Sequence, residues 1–194
     1  MKHKSLKSSL LISLLLSATI LSGCSTIIGA FKSEPFEDEP GERSTGTRFD
    51  DEVIETKALV NLDKTDPQLA QAHISITSYN GVVLMTGQVP SEDMRQKAAD
   101  VVSRVGGIKR VHNELTVSGN SSTLVRSNDS WISTKIKTKL LADSQIEGSR
   151  IKVVTENGVV YLMGLLTREE GDMAAEVART TSGVQKVVRI FEYI

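Results

Sequence analysis

The chain has 194 residues, 23 lysines and arginines against 24 aspartates and glutamates, and a single cysteine. A formal charge of −1 leaves no basic excess for general nucleic-acid binding, so that class of partner is excluded. One cysteine also excludes an internal disulfide, and stability has to come from packed cores.

The first 24 residues read as an export signal. Lys2, Lys4 and Lys7 precede an apolar run from Leu10 to Ile20, too short to span a membrane as a stable helix, and Leu21-Ser22-Gly23-Cys24 follows as a lipobox. Residues 1–23 are therefore expected to be removed and Cys24 to become a lipidated N-terminus. Two buried acyl chains already suffice for stable anchoring. Ser25 after the cysteine, rather than aspartate, points to the periplasmic face of the outer membrane. With the leader lysines gone, 20 basic side chains remain against 24 acidic ones. Residues 24–48 are rich in Ser, Thr, Gly, Pro and Glu without an apolar period, and read as a flexible tether.

Past the tether the chain repeats itself at an offset of about 77 residues. His73-Ile-Ser-Ile-Thr-Ser-Tyr-Asn-Gly-Val-Val-Leu-Met-Thr-Gly87 lies over Arg150-Ile-Lys-Val-Val-Thr-Glu-Asn-Gly-Val-Val-Tyr-Leu-Met-Gly164. In each copy apolar side chains four apart predict a first helix: Ile54, Ala58 and Leu62 within 50–62, and Ile132, Ile136 and Leu140 within 129–142. Asp50 or Asp51, and Asp129, are the expected N-caps. Two strands follow, joined at Asn80-Gly81 and at Asn157-Gly158, a dipeptide that tolerates the positive φ angles of a type I′ hairpin turn. A second helix is predicted over about 91–105 and 167–181, ended by Gly106-Gly107 and by Gly183. Alternating apolar residues then close each copy as a strand. The order is αββαβ, twice.

That order, with Gly-Val-Val-x-x-x-Gly at 81–87 and 158–164, resembles the BON module of bacterial envelope proteins. The lipobox and the paired copies together resemble the dual-BON outer-membrane lipoproteins. The resemblance implies an α+β fold in which each module has a three-stranded mixed sheet with two helices on one face. It also implies phospholipid binding and support of membrane integrity rather than catalysis. The expected domains are 49–118 and 127–194, with a linker at 119–126.

The copies differ most in their first helices. On a wheel of about 100° per residue, Ile132, Ile136 and Leu140 share one stripe, while Trp131, Lys135, Thr138, Lys139 and Ala142 share its neighbour. The first copy has Val53 in place of Trp131, Leu59 in place of Lys137 and Asn61 in place of Lys139. Residues 49–118 carry 7 basic and 10 acidic side chains, but 127–194 carry 9 of each. An indole settles at headgroup depth and nearby ammonium groups attract anionic lipid, so Trp131, Lys135, Lys137, Thr138 and Lys139 are the candidate contacts to a phosphatidylglycerol-like membrane. Two placements of Trp131 stay open, one facing lipid and one plugging the space between modules. A protein partner, such as an outer-membrane assembly factor, is the competing occupant of the same helix.

No catalytic set is visible. His73 and His112 are the only histidines after the leader, neither in metal-type spacing. No Gly-x-Ser-x-Gly elbow occurs. Glu169-Glu170 sits at a helix start, where acids suit the dipole. The expectation is no enzyme, no cofactor and no metal.

Overall fold

The computed structural model describes residues 41–194; the leader, Cys24 and the tether up to residue 40 lie outside the described residues. The element order is α1 (Thr45–Thr65), α2 (Pro67–Gln71), β1 (His73–Tyr79), β2 (Val82–Val89), α3 (Glu92–Ser103), β3 (Arg110–Asn113), β4 (Thr116–Val117), α4 (Thr123–Ala142), a 3₁₀ turn (Gly148–Arg150), β5 (Ile151–Glu156), β6 (Val159–Leu166), α5 (Arg168–Arg179) and β7 (Lys186–Tyr193). Each module pairs its first two strands antiparallel and adds its last strand parallel to the second, giving the orders β1-β2-β3 and β5-β6-β7. A short β4 continues the parallel edge of the first sheet. The α+β reading holds, with α2 and β4 as additions in the first module.

Both hairpins turn where the sequence places them. Asn80 and Asn157 have φ of 53° and 50°, and Gly81 and Gly158 follow at 76° and 75°. Only residues that tolerate the left-handed region can occupy both centres of such a turn.

Both first helices start earlier than the apolar spacing predicts. Ser44 caps α1 by accepting from the Thr47 amide, and Ser122 caps α4 by accepting from Val125. The first turns therefore occupy what reads as tether and linker. The expected caps, Asp51 and Asp129, lie instead inside the helices and are buried. Asp51 accepts from the Asn80 and Gly81 amides at 2.8 and 2.9 Å and from the Ser78 hydroxyl at 2.6 Å. Asp129 accepts from the Asn157 and Gly158 amides at 2.8 and 2.9 Å. A carboxylate in a helix thus caps the turn of a hairpin, and fixes the rotation and height of the helix on its sheet.

Three apolar layers result. Ile54, Ala58 and Leu62 of α1 join Met94, Ala98 and Val102 of α3 over Ile76, Val83 and Met85. Ile132, Ile136 and Leu140 of α4 join Ala174 and Ala178 of α5 over Val160 and Leu162. The third layer lies between the modules: Tyr79, Val82 and Leu84 from the opposite face of the first sheet meet Tyr161, Met163 and Ile190. The two sheets thus pack by their helix-free faces. Polar groups satisfy the edges of this seam, with Gln88 donating to Glu156 at 2.6 Å, Asn80 to Glu192 at 2.8 Å, and the Tyr79 hydroxyl to the Arg150 carbonyl at 2.5 Å. Burial first, then the neighbouring charge of Glu114, pushes the Tyr161 hydroxyl up to about 12.

Burial by itself raises the pKa of Asp51, but its hydrogen bonds from Ser78, Gly81, Asn80 and Arg43 outweigh that and hold it below the ordinary 3.8. Replacing Asp51 with Asn should cost about 2–4 kcal/mol in urea unfolding, because buried donors lose a charged acceptor. In the wild type that contribution is complete above pH 3.8 and is lost as the pH falls through the lower folded value, so the gap between the two proteins should close in acid.

Candidate functional site

α4 is sorted by the carboxylate clamp. Asp129, Ile132, Ile136 and Leu140 face inward, and the opposite face carries Leu124 and Trp131, 80% and 61% exposed. Seven residues separate the two, so they stand on one stripe about 10 Å apart along the axis. Thr138 and Ala142 continue that stripe, and Leu141 is exposed beside it. Single exposed apolar residues are ordinary, but an exposed Trp and an exposed Leu in line on a helix form a ridge.

The indole is not a plug between modules. Tyr79 and Tyr161 fill that seam, and Trp131 stands in solvent. The Lys135 ammonium lies 5.8 Å from its ring centroid, within cation–π range. Lys135 also donates to the Ser182 carbonyl at 3.3 Å, and Lys139 donates to the Thr181 hydroxyl at 3.0 Å. These two lysines therefore flank the ridge on the side of α5. Thr138 donates to the Thr134 carbonyl one turn back, and its oxygen stays at the surface.

Lys137 departs from the surface role expected for it. Its ammonium turns to the other flank and donates to the Gly148 and Ile151 carbonyls at 2.8 and 2.6 Å. Burial, then the charge of Lys152, pushes its pKa below the usual lysine value. None of Lys135, Lys137, Lys139 and Lys152 has a carboxylate partner among the described residues. The only acid in α4 is Asp129, which is committed to the hairpin. The helix presents uncompensated positive charge on both sides of an apolar ridge.

α1 shows the opposite balance. It carries Arg48, Lys57 and Lys64 against Asp50, Asp51, Glu52, Glu55 and Asp63. Its stripe equivalent to the Trp131 ridge holds Phe49, Val53 and Val60. Leu124 is the contact that sequence reading misses, because it falls within the apparent linker. Its signal is the spacing of seven to Trp131, once Ser122 is taken as the cap. Cys24 lies outside the described residues. Among the described residues no group of three His, Cys, Asp or Glu side chains is placed to hold a metal, and no helix is long and apolar enough to cross a membrane.

The BON domain pattern matches residues 50–119 and 128–193. The chain belongs to the BON-domain family. Outer membrane lipoprotein DolP of Haemophilus influenzae is 38% identical over 186 residues, covering 94% of this chain and 95% of that one. A 21 kDa hemolysin of Actinobacillus pleuropneumoniae is 40% identical over 152 residues, 78% of each chain. Osmotically-inducible protein Y of Escherichia coli is 30% identical over 145 residues, 73% of this chain and 72% of that one. With the relationship running nearly end to end, this BON-domain chain is an outer-membrane lipoprotein.

Because Trp131 is largely exposed, with the Lys135 ammonium over its ring, Trp131→Glu should leave urea-unfolding stability within about 0.5 kcal/mol of wild type. A plug would cost several times that.

Proposed function

We propose that this protein is a non-enzymatic lipoprotein of the periplasmic face of the outer membrane that binds anionic phospholipid through α4, and that this contact supports membrane integrity. The observation that carries the reading is the exposed Leu124–Trp131 ridge between lysines that have no carboxylate partner among the described residues. A helix lying in the interface places apolar side chains among the headgroups and upper acyl chains while its cations meet the surface charge. At about 1 kcal/mol per lysine near an anionic surface, Lys135 and Lys139 add to what Trp131 and Leu124 gain on leaving water. The result is a weak contact. Lipids on Cys24 would make it an intramolecular event, since two attachments on one chain raise the effective concentration of the second. The helix then reports the local density of anionic lipid rather than supplying the anchor.

The test uses the chain from Ser25 onward, which retains all three apolar layers, in co-sedimentation with vesicles of phosphatidylglycerol or of phosphatidylcholine. Wild type should prefer phosphatidylglycerol, and the preference should weaken as salt is raised. Trp131→Glu should reduce binding at least tenfold, while Val53→Glu at the equivalent place in the first module should not change it. Equal binding by all three proteins would reject the reading. A partner protein held equally well without lipid, and lost with Trp131→Glu, would favour the adaptor role instead.

A further inference from the structure

Beside the ridge, α4 and the edge strand β5 enclose a groove of about 340 Å³, lined by Ser133, Thr134, Lys137, Thr138, Ile151, Lys152 and Val153. Two of these are lysines and none is an acid. Thr138 belongs both to the groove and to the Trp131 stripe, so the groove opens on the face that carries the ridge. We propose that this groove holds the phosphate of an anionic lipid headgroup, with Lys137 and Lys152 as its cationic walls, while Trp131 and Leu124 enter the bilayer beside it. The proposal deepens the membrane reading and rests on it for the source of the phosphate.

Three observations converge on the assignment. An ammonium has three N–H donors, and Lys137 spends two on the Gly148 and Ile151 carbonyls, which orient it without neutralising it. The remaining donor is available to a ligand, as are those of Lys152, whose exposed side chain takes part in no hydrogen bond or ion pair among the described residues. The two charges also act on each other: Lys152 adds to burial in lowering the Lys137 pKa, a cost that an anion between them would relieve. Finally, the first module has no such groove chemistry. There the equivalents of Ser133, Lys137, Thr138 and Lys152 are Glu55, Leu59, Val60 and Ser75. Glu55 binds the Ser78 amide at 2.8 Å, whereas Ser133 bonds the hydroxyl of Thr155, the residue equivalent to Ser78, at 2.8 Å. The helix-to-strand link persists between copies, but the second copy makes it without a carboxylate. The cationic groove is thus a property of one copy, on the same helix as the ridge.

The first measurement needs no variant. Short-chain phosphatidylglycerol, kept below its micelle concentration, is titrated into the isotope-labelled wild-type chain. Amide shifts at Thr134, Lys137, Thr138 and Lys152 with a rise in the Lys137 side-chain pKa are expected; no response there overturns the proposal. Glycerol phosphate is the second arm, because it carries the same phosphate ester without acyl chains. An equal response to it at equal concentration would make the groove a site for soluble anions and overturn the lipid assignment. The third arm compares Lys137→Leu/Lys152→Ser, which installs the residues of the first module, with the charge-matched Lys135→Gln/Lys139→Gln on phosphatidylglycerol vesicles. The groove pair should lose at least tenfold more binding than the other pair, which removes the same charge outside the groove; equal losses would reduce the groove to general surface charge. If vesicles fail to bind wild type while the short-chain lipid still shifts the groove, the ridge reading falls and the groove stands.

Discussion

A single buried carboxylate sets the geometry of each module. Asp51 and Asp129 sit inside the first helices, yet bond to the backbone amides of the Asn-Gly turns. Leaving those buried amides unpaired would cost a desolvation penalty, so the helix cannot rotate on its sheet without a loss of about the size of a charged hydrogen bond. With the rotation fixed, Ile132, Ile136 and Leu140 point to the core, and Leu124 and Trp131 have nowhere to go but solvent. The exposure of the indole follows from a bond made on the other side of the helix.

The duplication explains how one half can change without the other failing. Both copies keep the clamp, the hairpin and the apolar face of the helix. Packing of the bare sheet faces through Tyr79, Leu84, Tyr161 and Met163 joins them, and the helices remain on the outer sides. The outer face of α4 is then the part least constrained by stability, since surface substitutions usually cost little. Tryptophan, leucine and lysine accumulate there in one copy, while α1 keeps five acids and suits no anionic surface.

Much of this is legible in the amino-acid sequence. The repeat, both hairpins and both second helices follow from Asn-Gly pairs and apolar spacing, because few residues accept positive φ and because a buried stripe must recur every three to four residues. The clamp was not legible. An aspartate ahead of an apolar stripe looks like an N-cap, and the true caps, Ser44 and Ser122, precede first turns in which no apolar side chain extends the buried stripe. The seam between sheets had a signal that alternation alone obscures: all eight residues of β2 are buried, and Val82-Val83-Leu84-Met85 is an unbroken apolar run of the kind found in strands covered on both faces. Charge counting along a helix groups Lys137 with the exposed lysines, since it does not show which ammonium a neighbouring carbonyl captures.

Trp131 is the only tryptophan in the chain, so its fluorescence reports one position. The most direct test is its emission in phosphatidylglycerol vesicles whose acyl chains carry bromine quenchers at known depths. An indole seated at headgroup depth should give a blue shift and strongest quenching by shallow bromines, with little change in phosphatidylcholine. An emission spectrum that stays at its aqueous position and escapes quenching in anionic vesicles, with protein demonstrably bound, would contradict it.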